Sequence, residues 1–325
     1  MFVDHSFVRL RDGSLFCVAG NDHTDTEILG CLYYVSRRDA LRYLGGPSNV
    51  VGATGEGHVK IGPLVKKHPA RYRALLATHG IRCWESTHLQ AVCKSEVAEY
   101  YEPRERLTVV LDAPHHHQCA QHTLRRVVDE ACRNGIAREA IGLTGSACFD
   151  DSRLCRARDI DLVLFERTGI RGFCAASRAV FSPLNALAES DARRIDYLSG
   201  RFTAQELSTA TARRMLGRRY DVGWSAGVQI DLTEVRADSR SIPRWVFDEP
   251  ALENAEIRGT VSNIGAGYPI SLEIKGWAGD IYISCRGWQG VLLPGDLVHL
   301  RGTVFGTAPP MLVVDEQPGH WLYLG

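Results

Sequence analysis

One stretch constrains this chain more than any other: residues 141–165, IGLTGSACFDDSRLCRARDIDLVLF. It opens on a short apolar run, Ile141-Gly142-Leu143, that reads as a strand. It then turns tightly through Thr144-Gly145-Ser146 and returns, after a polar connection, to a second strand over 159–165. Side chains alternate faces along a strand, so Asp159, Asp161 and Val163 point one way while Ile160, Leu162 and Leu164 point into a core. Two carboxylates side by side at the mouth of a buried strand repel each other, and either raise each other's pKa or recruit a cation. A hard divalent ion such as Mg²⁺ (or Mn²⁺), held by one or two carboxylates together with phosphate oxygens, suits that arrangement. The alternative is an acidic pair on a strand edge that simply faces solvent.

Composition narrows the field only in part. With 325 residues the chain is long enough for two or three ordinary domains. Lys plus Arg equal Asp plus Glu at 38 each, so the overall field offers no special attraction to a polyanion. No apolar run is long enough to span a bilayer, and the first residues lack the charged-then-apolar pattern of a secretory signal, so no membrane partner is expected. The 10 cysteines are scattered without a CxxC pair, which suits reduced thiols in a cytoplasmic protein.

Taken in order, the chain suggests three parts. Residues 1–113 read as an α+β segment. Strands over 7–10 and 14–19 flank an Arg11-Asp12-Gly13 hairpin turn, and a third strand covers 28–35. The glycine-rich stretch 45–62, containing GATGEGHVKIG, lacks the Gly-Lys-Ser/Thr ending of a phosphate-binding P-loop and reads as a flexible surface loop. Residues 63–102 read as helix in pieces, with Leu75 and Leu76 on one face and Gly80 as a stop. A short helix over 95–101 ends before Pro103, and LTVVL at 107–111 reads as a strand.

Residues 114–245 form the second part. The run PHHHQCAQH over 114–122 invites a metal, since His115 with Cys119, or Cys119 with His122, could share a helical face, yet no second ligand cluster lies at zinc-finger spacing, and the run reads rather as a histidine-rich loop entering a helix. That helix carries Leu124, Val127, Val128, Ala131 and Cys132 at helical spacing and stops at Gly135. Further helix is expected over 177–198, and again from Thr203, where Thr203 and Glu206 fit a capping box. A strand over 228–235 places Val228, Ile230 and Leu232 on one face and Asp231 on the other.

Residues 246–325 change character. Five strands, over 256–261, 270–274, 280–285, 297–304 and 311–314, are separated by Gly, Pro and Asn, the pattern of a small β-barrel. The phrases IRGTV at 257–261 and PGDLVHLRGTV at 294–304 resemble strands of OB-fold barrels. Arg258, Lys275, Trp277, Tyr282, Arg286, Trp288 and Arg301 offer a nucleic-acid surface on such a barrel, unless the aromatic rings fill its core.

The combination of an apolar strand, Gly145-Ser146, the twelve residues 147–158 and then Asp159-Ile160-Asp161 on a second apolar strand resembles the DNA polymerase beta-like nucleotidyltransferase superfamily. The likeness covers about residues 118 to 235. In order and phrasing, from the opening FVRLRDGSLFCVAG to the terminal β module, the chain also resembles a poorly characterised group of predicted archaeal and bacterial nucleotidyltransferases. The resemblance implies an α+β fold with a nucleotidyltransferase-type mixed sheet, flanked by the N-terminal segment and the C-terminal barrel. It further implies Mg²⁺ or Mn²⁺ on Asp159 and Asp161, an NTP whose phosphates meet Gly145 and Ser146, and a third carboxylate. Asp231 is the candidate for that carboxylate and Glu234 its substitute. The connection carries Arg153, Arg156 and Arg158, which either bind triphosphate or an acceptor phosphate, or screen the neighbouring aspartates.

Three functions remain open at this level. The first is transfer of a nucleoside monophosphate to a hydroxyl of RNA or another nucleic acid. The second is the same chemistry on a small molecule or a protein side chain. The third is a catalytically inactive nucleotide- or RNA-binding protein.

Overall fold

The computed structural model describes residues 2–21, 23–44, 51–53, 57–61, 69–83, 90–113, 118–150, 159–165, 222–225, 228–235, 252–265, 270–283, 288, 291–306, 309–314 and 320–324. The fold mixes α and β, and it divides into two compact units: Met1–Val128 with Ala137–Leu164, and Asp129–Ile136 with Phe165–Gly325. Among the described residues no helix is long and apolar enough to cross a membrane.

The first unit begins as an antiparallel meander of β1 (Phe7–Leu10), β2 (Leu15–Val18) and β3 (Glu27–Ser36). It continues through α1 (Arg37–Leu44), β4 (Val51–Ala53), β5 (His58–Lys60), α2 (Pro69–Thr78), β6 (Arg82–Cys83), β7 (Gln90–Cys93) and β8 (Val97–Tyr101). Then come α3 (Pro103–Asp112), α4 (Gln118–Arg133), β9 (Ile141–Thr144) and β10 (Asp159–Leu164). Strands β1–β8 build one sheet in the order β4-β5-β3-β2-β1-β8, with β7 also on β3 and β6 on β7.

Strand β3 changes partner along its length. Its first half pairs with β7, from Glu27↔Cys93 to Gly30↔Gln90, and its second half pairs with β5, from Tyr34↔Lys60 to Ser36↔His58. A backbone donor at such a junction needs a partner once water is excluded. The buried Gln90 supplies it: its Oε1 accepts from the Leu32 amide at 2.7 Å, and its Nε2 donates to the Tyr72 hydroxyl at 2.8 Å. One side chain thus ties β3, β7 and α2 together, over a core that includes Val8, Phe16, Ile28, Leu75 and Leu76.

Several expectations for this unit are corrected. The LTVVL run at 107–111 is helix, not strand. Glu102 caps it by accepting from the Arg104 and Glu105 amides at 2.8 and 2.9 Å, and Pro103 occupies the first turn, where its missing N–H is harmless. Buried Pro103, Leu107, Val110 and Leu111 then fall on one helical face, while Val109 points outward. Conversely, residues 97–101 are the strand β8 rather than helix. Pairing with β1, from Phe7↔Tyr101 to Leu10↔Val97, overrides their local preference, and the Pro103 that follows favours extended backbone before it. Within the glycine-rich stretch, Val51–Ala53 and His58–Lys60 are strands, because Val59 and Ile61 are fully buried. Helix α4 buries Leu124, Val127, Val128 and Ala131 as expected, but Cys132 lies exposed.

The second unit contains the hairpin β11 (Val222–Ser225) and β12 (Val228–Glu234), followed by an all-β module. The module consists of β13 (Glu253–Ile264), β14 (Ile270–Ile274), β15 (Asp280–Ile283), β16 (Leu297–Phe305), β17 (Met311–Val314) and β18 (Trp321–Leu324). Five of these strands close a barrel in the order β13-β14-β15-β17-β16 and back to β13. All neighbours are antiparallel except β15 and β17, which run parallel. The long β13 spans two neighbours, pairing with β16 through Glu253–Thr260 and with β14 from Val261 onward. A Cβ on Gly302 would meet the Val313 carbonyl at 2.3 Å, so only glycine lets β16 cross so close to β17. Leu272, Ile281, Val298, Leu300 and Leu312 fill the barrel together with Trp288. The sixth strand, β18, was not expected; it extends the barrel on β16.

Candidate functional site

The hairpin of β9 and β10 is antiparallel, with Asp161 opposite Thr144, Leu162 opposite Leu143 and Leu164 opposite Ile141. Between them, Gly145–Cys148 forms a single 3₁₀ turn that Gly145 enters with φ +68°. That left-handed backbone costs any residue with a Cβ, and space closes the position as well. A Cβ on Gly145 would lie 2.0 Å from Oδ2 of Asp161 and 2.8 Å from its carboxyl carbon. The carboxylate of Asp161 therefore rests directly against the bare Cα of Gly145.

Exposure falls along the acidic face of β10: Asp159 is exposed, Asp161 half-buried and Val163 fully buried. The face is open only at its mouth, as expected of two carboxylates at the end of an otherwise buried strand. Two carboxylates at the mouth of a buried strand, one of them (Asp161) against a glycine, are suited in donor type to a hard divalent cation. Among the described residues, no three or more His, Cys, Asp or Glu side chains gather as a metal-holding group.

The turn is held from three sides within its own unit. Phe149, immediately after it, packs edge-on against Phe7 and Tyr34 at centroid distances of 5.3 and 5.0 Å, anchoring it to the N-terminal sheet. From α3, the Arg106 guanidinium donates to the Cys148 carbonyl. From the N-terminal segment, the Thr144 hydroxyl donates to the carbonyl of His5. His5 is the single non-glycine residue with positive φ among the described residues, at +62°. Beside it, the buried Asp4 carboxylate accepts from the Gly20 amide at 2.8 Å and sits 3.0 Å from His5 Nδ1. Thr144, Phe149 and His5 escape sequence reasoning because their roles depend on elements distant in the chain. Only the aromatic Phe149 directly after a Gly-Ser turn hints at an anchor.

Asp231 lies on β12 in the second unit, half-buried, and accepts from Gln229 Nε2 at 2.9 Å along the same face. The alternation of β12 holds as expected, with Val228, Ile230 and Leu232 buried. Glu234 is on that apolar face and almost fully buried, opposite to Asp231. Ser146 is half-buried within the turn. Arg153, Arg156, Arg158 and the histidine run 115–117 lie outside the described residues, as do the helices expected over 177–198 and from Thr203. On the barrel, Tyr282 and Trp288 are buried and Trp277 packs partly into the core, whereas Arg258 and Lys275 are exposed; Arg286 lies outside the described residues.

Compared with known protein families, with curated proteins and with solved structures, the chain matches none.

Proposed function

We propose that this chain is a metal-dependent nucleotidyltransferase, moving a nucleoside monophosphate from an NTP to an acceptor hydroxyl with release of pyrophosphate. The apposition of Gly145 and Asp161 carries the reading. A left-handed glycine at the end of a buried strand brings its bare Cα against the half-exposed carboxylate of Asp161, an approach that no residue with a Cβ allows. Ser146 donates its hydroxyl to a phosphate oxygen. Asp159 and Asp161 present the oxygen ligands for Mg²⁺ or Mn²⁺. When bound, that ion neutralises charge at the attacked phosphorus and on the departing pyrophosphate. The resemblance to nucleotidyltransferases assigns proton acceptance from the attacking hydroxyl to Asp231 and triphosphate binding to Arg156 and Arg158.

The barrel supports an OB-like module, because its closing order and single parallel pair are those of a five-stranded Greek-key barrel. Such a module favours RNA or another nucleic acid as acceptor. The test uses α-labelled NTPs with Mg²⁺ or Mn²⁺ and a pool of RNA, small-molecule and protein acceptors. Label entering nuclease-sensitive material supports the nucleic-acid acceptor, and label elsewhere supports the small-molecule or protein alternative. If no label is incorporated and no metal–NTP is bound by calorimetry, the chain is not a nucleotidyltransferase. NTP binding without turnover would leave the inactive, nucleotide-binding reading.

A further inference from the structure

The outer face of the barrel carries a feature that the transfer chemistry does not use. Strands β13, β16 and β18 lie side by side, and their register aligns two rows of outward side chains. Glu256, Arg301 and Trp321 form one row; Arg258, His299 and Tyr323 form the other. The residues between them, Ile257, Leu300 and Leu322, point inward and are buried. The three rings form a continuous group. His299 meets Trp321 nearly edge-to-face at 4.5 Å between centroids, and Trp321 meets Tyr323 at 5.2 Å. Tyr323 is 54 % exposed, among the most exposed large apolar side chains described.

We propose that this face binds single-stranded nucleic acid, stacking bases on Tyr323 and Trp321 and pairing backbone phosphates with Arg258 and Arg301. Aromatic rings left in water on a sheet surface gain by covering their faces, and an unpaired base supplies a flat apolar partner of matching size. Cationic groups on both rows select a polyanion over a neutral ligand such as a polysaccharide. Within the patch, Glu256 opposes this charge, but it sits 3.6 Å from Arg301 and 3.7 Å from His299, both at least 39 % exposed. Exposed pairs of this kind are weak, about 0–1 kcal/mol, so phosphate competes for Arg301 at little cost. Duplex nucleic acid is disfavoured because its bases are already stacked. The proposal rests on the barrel alone and stands whether or not the aspartate pair is catalytic.

The test is fluorescence anisotropy of a labelled oligouridylate of about 12 nucleotides with the full chain, in the absence of NTP and metal. Measurements start at low salt, about 50 mM. Saturable binding that quenches tryptophan fluorescence is expected, and Tyr323→Ala should weaken it between about 5- and 150-fold. Tyr323→Trp should restore it. Arg258→Ala should weaken binding and reduce the slope of log affinity against log salt by about 0.7. Circular dichroism of each variant checks that the barrel remains folded. Absence of binding, equal binding of duplex and single strand, or affinity unchanged in folded Tyr323→Ala and Arg258→Ala would each overturn the proposal. So would preferential capture of a neutral polysaccharide or of a protein by the same face.

Discussion

The carboxylate of Asp161 occupies the space that a side chain on Gly145 would need, with its Oδ2 2.0 Å from the Cβ position. Any substitution at 145 therefore moves the acidic group, and it also strains a backbone held at φ +68°. Gly145→Ala should lose about 1–2 kcal/mol of stability from the left-handed backbone alone. NTP-dependent pyrophosphate release should fall further than the loss of folded protein explains. Urea denaturation beside a coupled pyrophosphate assay separates the two, and a variant with normal turnover per folded molecule would remove the glycine from the site.

Asp161→Asn and Asp159→Asn keep side-chain size and remove the charge that would hold a divalent ion. Both should cut turnover by two or more orders of magnitude, while thermal unfolding midpoints stay close to the parent. Asp159 is exposed and Asp161 half-buried, and asparagine fills the same volume at either position. Magnesium titration of turnover provides the check. A normal metal dependence in either variant would place the metal elsewhere.

Gln90 joins three elements through one buried amide. Gln90→Leu retains volume but leaves the Leu32 amide without its partner, at a cost of about 1–3 kcal/mol. The urea midpoint should shift accordingly while the urea slope stays the same. An unchanged midpoint would mean that another group reaches Leu32.

Asp12 titrates well below its ordinary value of 3.8, at about 2. Burial pushes it up, but the hydrogen bonds from His79 and from the Ser14 side chain and backbone, with the His79 charge, more than offset that. A carboxyl depressed in the folded state stabilises above the unfolded value, and that contribution is lost as pH falls from about 4 through about 2. The side chain is 40 % exposed, so after screening the contribution is on the order of 1 kcal/mol. Relative to Asp12→Ala, the parent should be more stable near neutrality, and the difference should close between about pH 4 and pH 2 in urea denaturation. A gap that persists at low pH would assign the effect to packing rather than to charge.

Local pattern alone was enough for much of this protein. Apolar runs bounded by turn residues marked β1–β3, β9 and five strands of the barrel, and alternation marked β10 and β12, because a strand with one buried face must repeat every second residue. The i, i+3, i+4 spacing in α4 was equally legible, and so was the acidic face of β10 beside a Gly-Ser turn. Where pattern failed, a contact far along the chain had decided the outcome. Residues 97–101 are a strand because β1 offers them an edge, and 107–111 are helix because Glu102 and Pro103 start one there. The short WLYL of β18 and the exposed rings it brings to the barrel are decided by pairing with β16, since nothing local says that Arg301 will lie opposite Trp321. Sequence by itself determined which residues could carry chemistry. Only the tertiary structure pressed Asp161 against Gly145 and pinned that turn with Phe149, Arg106 and Thr144, because such contacts depend on register and packing between distant segments.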